Sequence, residues 1–514
     1  MDKNEVCVFN IIADDYIPQQ QLFAKNFKKN HPNVDIYCIT LENTKFNSEL
    51  FKSIPVNEID TIKNLELLKF KYSVLELSTA LKPYIFLYLF KKYNFKKILY
   101  FDSDIVVYKP IDEIIRKLDD FDAIITPHIR KAIQDDKQPN EIDFSKSGYF
   151  NAGFLGLSNN LETLDFLGWW AEKTNIYCYI DFNKFYFVDQ RWLDYAPIFL
   201  KTYIIKEPGY NVAYFNLQEY IGKIDPKKIF FIHFSGYDKE KVSVYQNRFN
   251  KKSLKEYAVF FDEYHIKINK LKKKKKHLYK FNFFDNYAYI SPFIKKIFLN
   301  KEIIIENRLN SDKPFSTNIK NSIYSYLNDE SQSVPVTNLA RLVYKNNLSL
   351  QQKIPDVDFS RLSSPSLFTY ILWFINESGE ELNIDKPFIK SQKQILKKIN
   401  TIFKLYDSFR IKNRFLRFFL RYKYFFQIMR IADRKKFIKN IFIFLLGRTV
   451  DQKTLVDSLK NNKNIYDYKK ILLNNILDSK EFEALFDKKS SIILKVIKYT
   501  YKSICLIALK QKII

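Results

Sequence analysis

Residues 98–107 read Ile98-Leu99-Tyr100-Phe101-Asp102-Ser103-Asp104-Ile105-Val106-Val107, and this stretch decides the fold. Four apolar residues make a buried strand that runs directly into two aspartates. Carboxylates at i and i+2 of an extended chain project the same way. Side by side at the end of a buried strand they repel each other. A divalent cation removes that cost, and hard oxygen ligands suit Mg²⁺ or Mn²⁺. A D-x-D triplet also occurs by chance in solvated loops, but a place after ILYF and before IVVYKP favours the cation reading.

Working outward, Val6–Ile12 is an apolar run that ends in Ala13-Asp14-Asp15-Tyr16. Phe23–Lys29 has helical spacing, Val34–Thr40 reads as the next strand, and a longer helical pattern covers about 64–81. Pro83 then suits the first turn of a second helix. Ala123–Thr126 is a further strand. Strands separated by helices predict parallel βαβ units, hence an α/β fold with a mostly parallel sheet and helices on both faces. Such sheets bind ligands at the carboxyl ends of their strands. Both acidic clusters, 14–15 and 102–104, directly follow a strand on that edge.

Composition sets the bounds. The chain has 514 residues, 46% of them apolar and 17% aromatic, which excludes a mainly disordered protein and predicts more than one domain. Four cysteines (Cys7, Cys38, Cys178, Cys505) make no disulfide framework and no C-x-x-C pair, so reduced thiols in the cytoplasm are expected. The start MDKNEVCVFNII reads as a first strand, not as a signal peptide. No run reaches the ~18 apolar residues of a membrane span. The net charge of +27 would attract polyanions, although the abundance of Lys, Asn, Ile, Phe and Tyr also fits an AT-rich genome. Of nine glycines, seven lie between 148 and 236, where positive φ or close approach to a ligand is expected.

Three more segments in that window carry chemistry. In Phe230-Phe231-Ile232-His233-Phe234-Ser235-Gly236-Tyr237-Asp238-Lys239, an imidazole can complete a carboxylate cation site. The glycine and lysine that follow suit a phosphate. Tyr149-Phe150-Asn151-Ala152-Gly153-Phe154 and Phe187-Val188-Asp189-Gln190-Arg191-Trp192 offer amides and a carboxylate to sugar hydroxyls. On the blander reading, N-A-G is a turn and D-Q a helix start.

The order A-D-D-Y, D-x-D, F-N-A-G, D-Q, H-x-x-G-x-x-K resembles the retaining, metal-dependent glycosyltransferases grouped with lipooligosaccharide α-galactosyltransferases and glycogenin (glycosyltransferase family 8-like). The resemblance covers about residues 5–240. It implies a GT-A fold, a nucleotide-diphosphate sugar as donor, and Mn²⁺ (or Mg²⁺) held by Asp102, Asp104 and His233. It places Ala13, Asp14 and Tyr16 at the base and ribose, with Asp102 and Ser103 nearby. Gly236 and Lys239 would meet the diphosphate, and Lys82 the phosphates and sugar. Asn151, Ala152, Asp189 and Gln190 would face the donor sugar, Gln190 on the side where the acceptor attacks. The first motif is one residue shorter than the common A-D-D-x-Y form, and Glu240 follows Lys239 in place of the usual Pro-Trp.

Three domains are expected: 1–270, the GT-A domain; 278–395, a helical accessory domain; and 400–514, a basic, aromatic helical domain. Residues 401–450 hold 13 Lys/Arg, two acids and 13 aromatics. A peripheral contact with an anionic membrane and a buried helical hairpin with a basic face are the leading readings there. Nucleic acid ranks last, because no RNP, KH or zinc motif accompanies the block. The segment Leu445–Asp451, with Asp478–Phe482 downstream, resembles a small helical module of bacterial surface-polysaccharide proteins.

The expected function is transfer of a sugar, UDP-linked by preference, to a glycan, lipid-linked or protein acceptor in bacterial surface polysaccharide or glycoconjugate synthesis. The enzyme would sit in the cytoplasm or on the inner face of its membrane. One alternative is a degenerate GT-A scaffold or glycan-binding protein. A sugar nucleotidyltransferase would need a glycine-rich loop after strand one, and Val6–Tyr16 has no glycine.

Overall fold

The computed structural model describes residues 5–236, 255–271, 277–329, 336–359, 365–397 and Leu472. Lys239, the lysines of 272–276, the 401–450 block and both parts of the C-terminal module lie outside the described residues.

Eleven strands form among the described residues: β1 (Val6–Ile12), β2 (Asp35–Thr40), β3 (Lys52–Pro55), β4 (Lys97–Phe101), β5 (Ile105–Val107), β6 (Ala123–Pro127), β7 (Phe150–Ser158), β8 (Ile180–Asp181), β9 (Tyr186–Phe187), β10 (Thr202–Ile204) and β11 (Phe231–His233). Seven of them make one sheet in the order β10-β6-β7-β4-β1-β2-β3. All pairs are parallel except those of β7, which runs antiparallel to β4 and to β6. β5 with β11 and β8 with β9 form two small antiparallel ribbons. The expected α/β class, a mostly parallel sheet flanked by helices and followed by helices, is what the chain adopts.

The helices that matter for the cleft are α1 (Ile17–Asn30), α2 (Leu65–Lys71), α3 (Val74–Ala80), α4 (Lys82–Tyr93), α5 (Asp112–Arg116), α6 (Glu141–Ser147), α7 (Leu161–Tyr177) and α8 (Gln190–Leu193). Every residue of β1 is buried, and its alternation divides two cores. Cys7, Phe9 and Ile11 pack with Leu77 of α3, Ile85 of α4 and Trp170 of α7. Val6, Val8 and Ile12 pack with Phe23 and Phe27 of α1 and Ile114 of α5. Being covered on both sides is why the strand reads as one apolar run.

Three readings differ from what forms. The pattern over 64–81 is two helices, because Ser73 begins a new one: its hydroxyl accepts from Glu76 N at 3.3 Å while Glu76 Oε2 accepts from Ser73 N at 2.8 Å. The N-A-G segment is not a turn; it lies inside β7. Among the seven clustered glycines, Gly148, Gly209, Gly222 and Gly236 have positive φ, whereas Gly153 and Gly156 are crowded by neighbouring side chains and Gly168 lies open in α7.

The chain divides into two compact units, Met1–Phe283 with Phe298–Phe315, and Phe284–Ile297 with Ser316–Ile514. The described part of the second unit is helical. In it Leu339, Ala340, Val343 and Tyr344 bury one face of the helix Asn338–Lys345, which Thr337 caps. No described helix is long and apolar enough to cross a membrane.

Candidate active site

β4 ends at Phe101 and the chain turns at once, with Ile105 N donating to Asp102 O at 3.1 Å. The two aspartates therefore converge across a tight turn, not along an extended strand as the i, i+2 spacing predicts. Asp102 N donates to Gly153 O at 2.8 Å, which ties the turn to β7. β5 leaves the turn and pairs with β11 in the register Ile105↔His233, so a histidine about 130 residues away in sequence arrives beside the pair. His233 Nε2 lies 3.4 Å from Asp102 Oδ2 and 3.2 Å from Asp104 Oδ1. Tyr100 OH donates to the other Asp102 oxygen. Burial works against protonation of the imidazole, but Asp104 and Asp102 outweigh it and hold the pKa above the ordinary histidine range.

The donor set fits a divalent cation. One ligand atom from each of Asp102, Asp104 and His233 lies within 4.8 Å of the others. Neighbouring ligands of an octahedral ion with bonds of ~2.1 Å are ~3 Å apart, close to the separations found. Asp104 Oδ1 is buried and has no polar partner besides the His233 ring, 3.2 Å away, so an acceptor stands ready for a positive charge.

Beside this cluster Lys82, at the start of α4, is 1% exposed and Asp189 likewise. Lys82 Nζ lies 2.9 Å from Asp189 Oδ2, donates to Ala152 O at 2.8 Å and sits 4.4 Å from the Tyr100 ring centre. Burial pushes the Asp189 pKa up to about 6, with Lys82 opposing, so the pair is ionised at neutral pH. Val188, immediately before it, has φ 44°, a left-handed conformation that a β-branched residue avoids at a cost of ~1–3 kcal/mol. That bend separates β9 from α8 and turns Asp189 inward.

Asn151 and Gln190 are also buried. Gln190 Oε1 accepts from Ala152 N at 3.1 Å and from Asn151 Nδ2 at 3.3 Å, and its Nε2 donates to Ser147 O at 2.9 Å. Asn151 Oδ1 lies 3.1 Å from His233 Nδ1 and accepts from Asn211 Nδ2 at 3.0 Å and Gly153 N at 3.1 Å. A Cβ on Gly153 would stand 2.3 Å from His233 Cε1, so only glycine lets the ring enter.

A cleft of about 900 Å³ opens over these groups at the carboxyl edge of the sheet, lined by Ala13, Tyr16, Ser103, Gly236 and Tyr279 as well as the residues above. Burial and the carboxylates of Asp104, Asp15 and Asp102 raise the Tyr16 pKa to about 12, so it is a neutral phenol. Asp14 does not line the cleft: its Oδ2 accepts from Thr44 Oγ1 at 2.5 Å and its backbone N donates to Glu42 at 3.2 Å. Of the candidate site residues chosen from sequence, Lys239 alone cannot be placed, since it lies outside the described residues.

Sequence reading missed three contributors. Asn211, with φ 51°, follows the Pro-Gly of a turn, a signal for left-handed backbone but not for a site. His128 stacks on Phe144 at 5.0 Å and meets Phe215 edge-on at 4.8 Å. Burial takes its pKa down to about 4. Tyr279 donates to Asp15 Oδ2 at 2.7 Å from beyond the expected boundary at 270.

No family model matches the sequence. A curated relative, the uncharacterised protein YfnD of Bacillus subtilis (strain 168), is 29% identical over 104 residues, which is 18% of this chain and 33% of the relative. The chain thus spans about a third of that relative's length. Among solved structures the chain is similar to the galactosyltransferase LgtC in complex with donor and acceptor sugar analogues (14% identity, 52% of this chain, 97% of that one, TM-score 0.32). It is also similar to the glycosyltransferase GlyE of Streptococcus pneumoniae TIGR4 (16% identity, 54% of this chain, 67% of that one, TM-score 0.32). A third is a glycosyltransferase involved in glycosylation of the major capsid of PBCV-1 (15% identity, 46% of this chain, 98% of that one, TM-score 0.29). The chemistry of the site therefore rests on the residues described above.

Proposed function

We propose that the chain is a metal-dependent glycosyltransferase that moves a sugar from a nucleotide-diphosphate donor, a UDP-sugar by preference, to a glycan, lipid-linked or protein acceptor. The observation that carries this reading is the Asp102–Asp104–His233 cluster inside a cleft at the carboxyl edge of a mostly parallel sheet. In this reading those three residues hold Mn²⁺ or Mg²⁺, which neutralises charge on the departing diphosphate. Tyr16 and Ala13 flank the base and ribose, and Ser103 and Gly236 the phosphates. Lys82 and Asp189 form a fixed dipole beside the donor sugar, where a positively charged anomeric carbon develops during transfer. Retention of configuration, a role in surface polysaccharide synthesis, and work in the cytoplasm or at its membrane follow from the family resemblance and belong to the same proposal.

Thermal unfolding with a panel of UDP-, GDP- and CDP-sugars, each with and without Mn²⁺, is the test. A stabilising shift is expected only with nucleotide and metal together, and none in Asp104→Ala. No shift with any donor would sink the transferase reading in favour of a scaffold.

A further inference from the structure

The polarity of the amide network behind the metal cluster is set by backbone groups that cannot be reversed. Gly153 N–H points at one end of the Asn151 amide from 3.1 Å, and a backbone N–H only donates, so that end is the oxygen. Ala152 N–H likewise fixes the Gln190 oxygen at 3.1 Å, and Ser147 C=O fixes the Gln190 nitrogen at 2.9 Å. The Asn151 nitrogen then donates to Gln190 Oε1 and to His128 Nε2, each at 3.3 Å. Both polar atoms of the Asn151 side chain are thereby engaged within the protein.

One consequence reaches the metal site. Asn151 Oδ1 faces His233 Nδ1 at 3.1 Å, so that ring nitrogen must bring the proton. When the ring carries only that proton, the Nε2 lone pair is turned to Asp102 and Asp104, where a cation would take the place of the second proton that the two carboxylates favour. Metal-binding imidazoles need that form, and their outer partners commonly impose it. Gly153, two residues on, gives the ring its space.

Resting on the metal-site reading above, we infer that Asn151 is a positioning residue for the cation: through Oδ1 it holds His233 in the Nδ1–H tautomer with Nε2 presented to the metal. The N-A-G segment of β7 is then the seat of the histidine ligand. His128 belongs to the same network as a neutral acceptor, since burial keeps it unprotonated.

The full chain has five histidines, so selective ¹⁵N-histidine labelling resolves the rings, and His233→Gln assigns its signal. In metal-free protein, on the alkaline side of the ring's titration, His233 is expected to carry its proton on Nδ1. A proton on Nε2 overturns the proposal whatever the variants do. Asn151→Leu is expected to lose the preference and to weaken binding of Mn²⁺ alone, read by calorimetry, by ~10–100-fold. Asn151→Asp keeps the accepting oxygen and is expected to keep the tautomer and bind within a few-fold of wild type. Should Asn151→Leu fail to fold, the wild-type tautomer and the Asp variant still decide. If His233→Gln weakens Mn²⁺ binding while Asn151→Leu changes neither tautomer nor affinity, this proposal falls and the metal site stands. If wild type binds no Mn²⁺, or His233→Gln has no effect, the metal-site reading fails first and takes this one with it.

Discussion

At the scale of single residues, the Lys82–Asp189 pair is the most consequential charge arrangement in the cleft after the Asp102–Asp104–His233 cluster. Both side chains are essentially sealed from solvent, and removing one partner of such a pair leaves an uncompensated buried charge. Lys82→Met is therefore expected to lower stability at pH 8 by ~3–5 kcal/mol in denaturant unfolding. The pH dependence has a definite sign. Asp189 has a folded pKa of about 6 against 3.8 for the free side chain, so the folded state binds its proton more tightly. Its contribution to stability thus grows as pH falls through 6 and levels off below about 4. Wild type should gain ~2–3 kcal/mol over Asp189→Asn between pH 8 and pH 4. An identical pH profile in the two proteins would show that Asp189 is not held with a raised pKa.

At the scale of elements, the site depends on β7 and β11, the two strands that sequence periodicity served least well. In the seven-stranded sheet β7 alone runs against its neighbours, and its N-A-G triplet has the composition of a turn; only the approach of the His233 ring explains why a small, flexible residue stands mid-strand. Gly153→Ala places a carbon where the ring now lies. It is expected to weaken Mn²⁺ binding at least ~10-fold and to cost ~1–3 kcal/mol by overpacking. Gly168→Ala, in open space on α7, is the control and should leave Mn²⁺ binding unchanged; equal effects of the two would refute the steric account. What could be read in advance follows the same division. β1, β4 and the helix opened by Pro83 are local patterns with both faces buried or a proline at the start, and they form where expected. The break at Ser73 was also written in the sequence, as S-x-x-E, but is masked by apolar spacing that runs on across it. The candidate residues could be chosen one by one, yet the turn that brings Asp102 to Asp104 and the Ile105↔His233 register are long-range facts that no local pattern contains.

At the scale of the molecule, the unit that holds the cleft is not closed by the residues before the lysine run. A boundary at 270 is the natural reading of a composition change, but packing extends the unit. Phe281 is buried in the core that contains Phe9 and Trp170, and His277 Nε2 lies 2.6 Å from Glu42 Oε2. Phe298 and Phe315 meet the Phe70 ring edge-on at 5.4 and 5.5 Å. Burying one such aromatic contributes ~1.5–3 kcal/mol, so losing three of them removes ~5 kcal/mol, which is of the order of a domain's whole stability. A chain ending after residue 315 is therefore expected to keep the nucleotide- and Mn²⁺-dependent thermal shift of the full protein. A chain ending after 270 is expected to unfold at markedly lower urea and to lose most of that shift, since Tyr279 also leaves the cleft wall. Substituting Tyr279→Ala in the full chain separates the two causes, because it removes the wall and its stacking on Phe281 while leaving Phe281, Phe298 and Phe315 themselves in place. If the shorter chain matches the longer in both urea midpoint and thermal shift, residues 277–315 are dispensable to the unit that holds the cleft and the boundary belongs at 270.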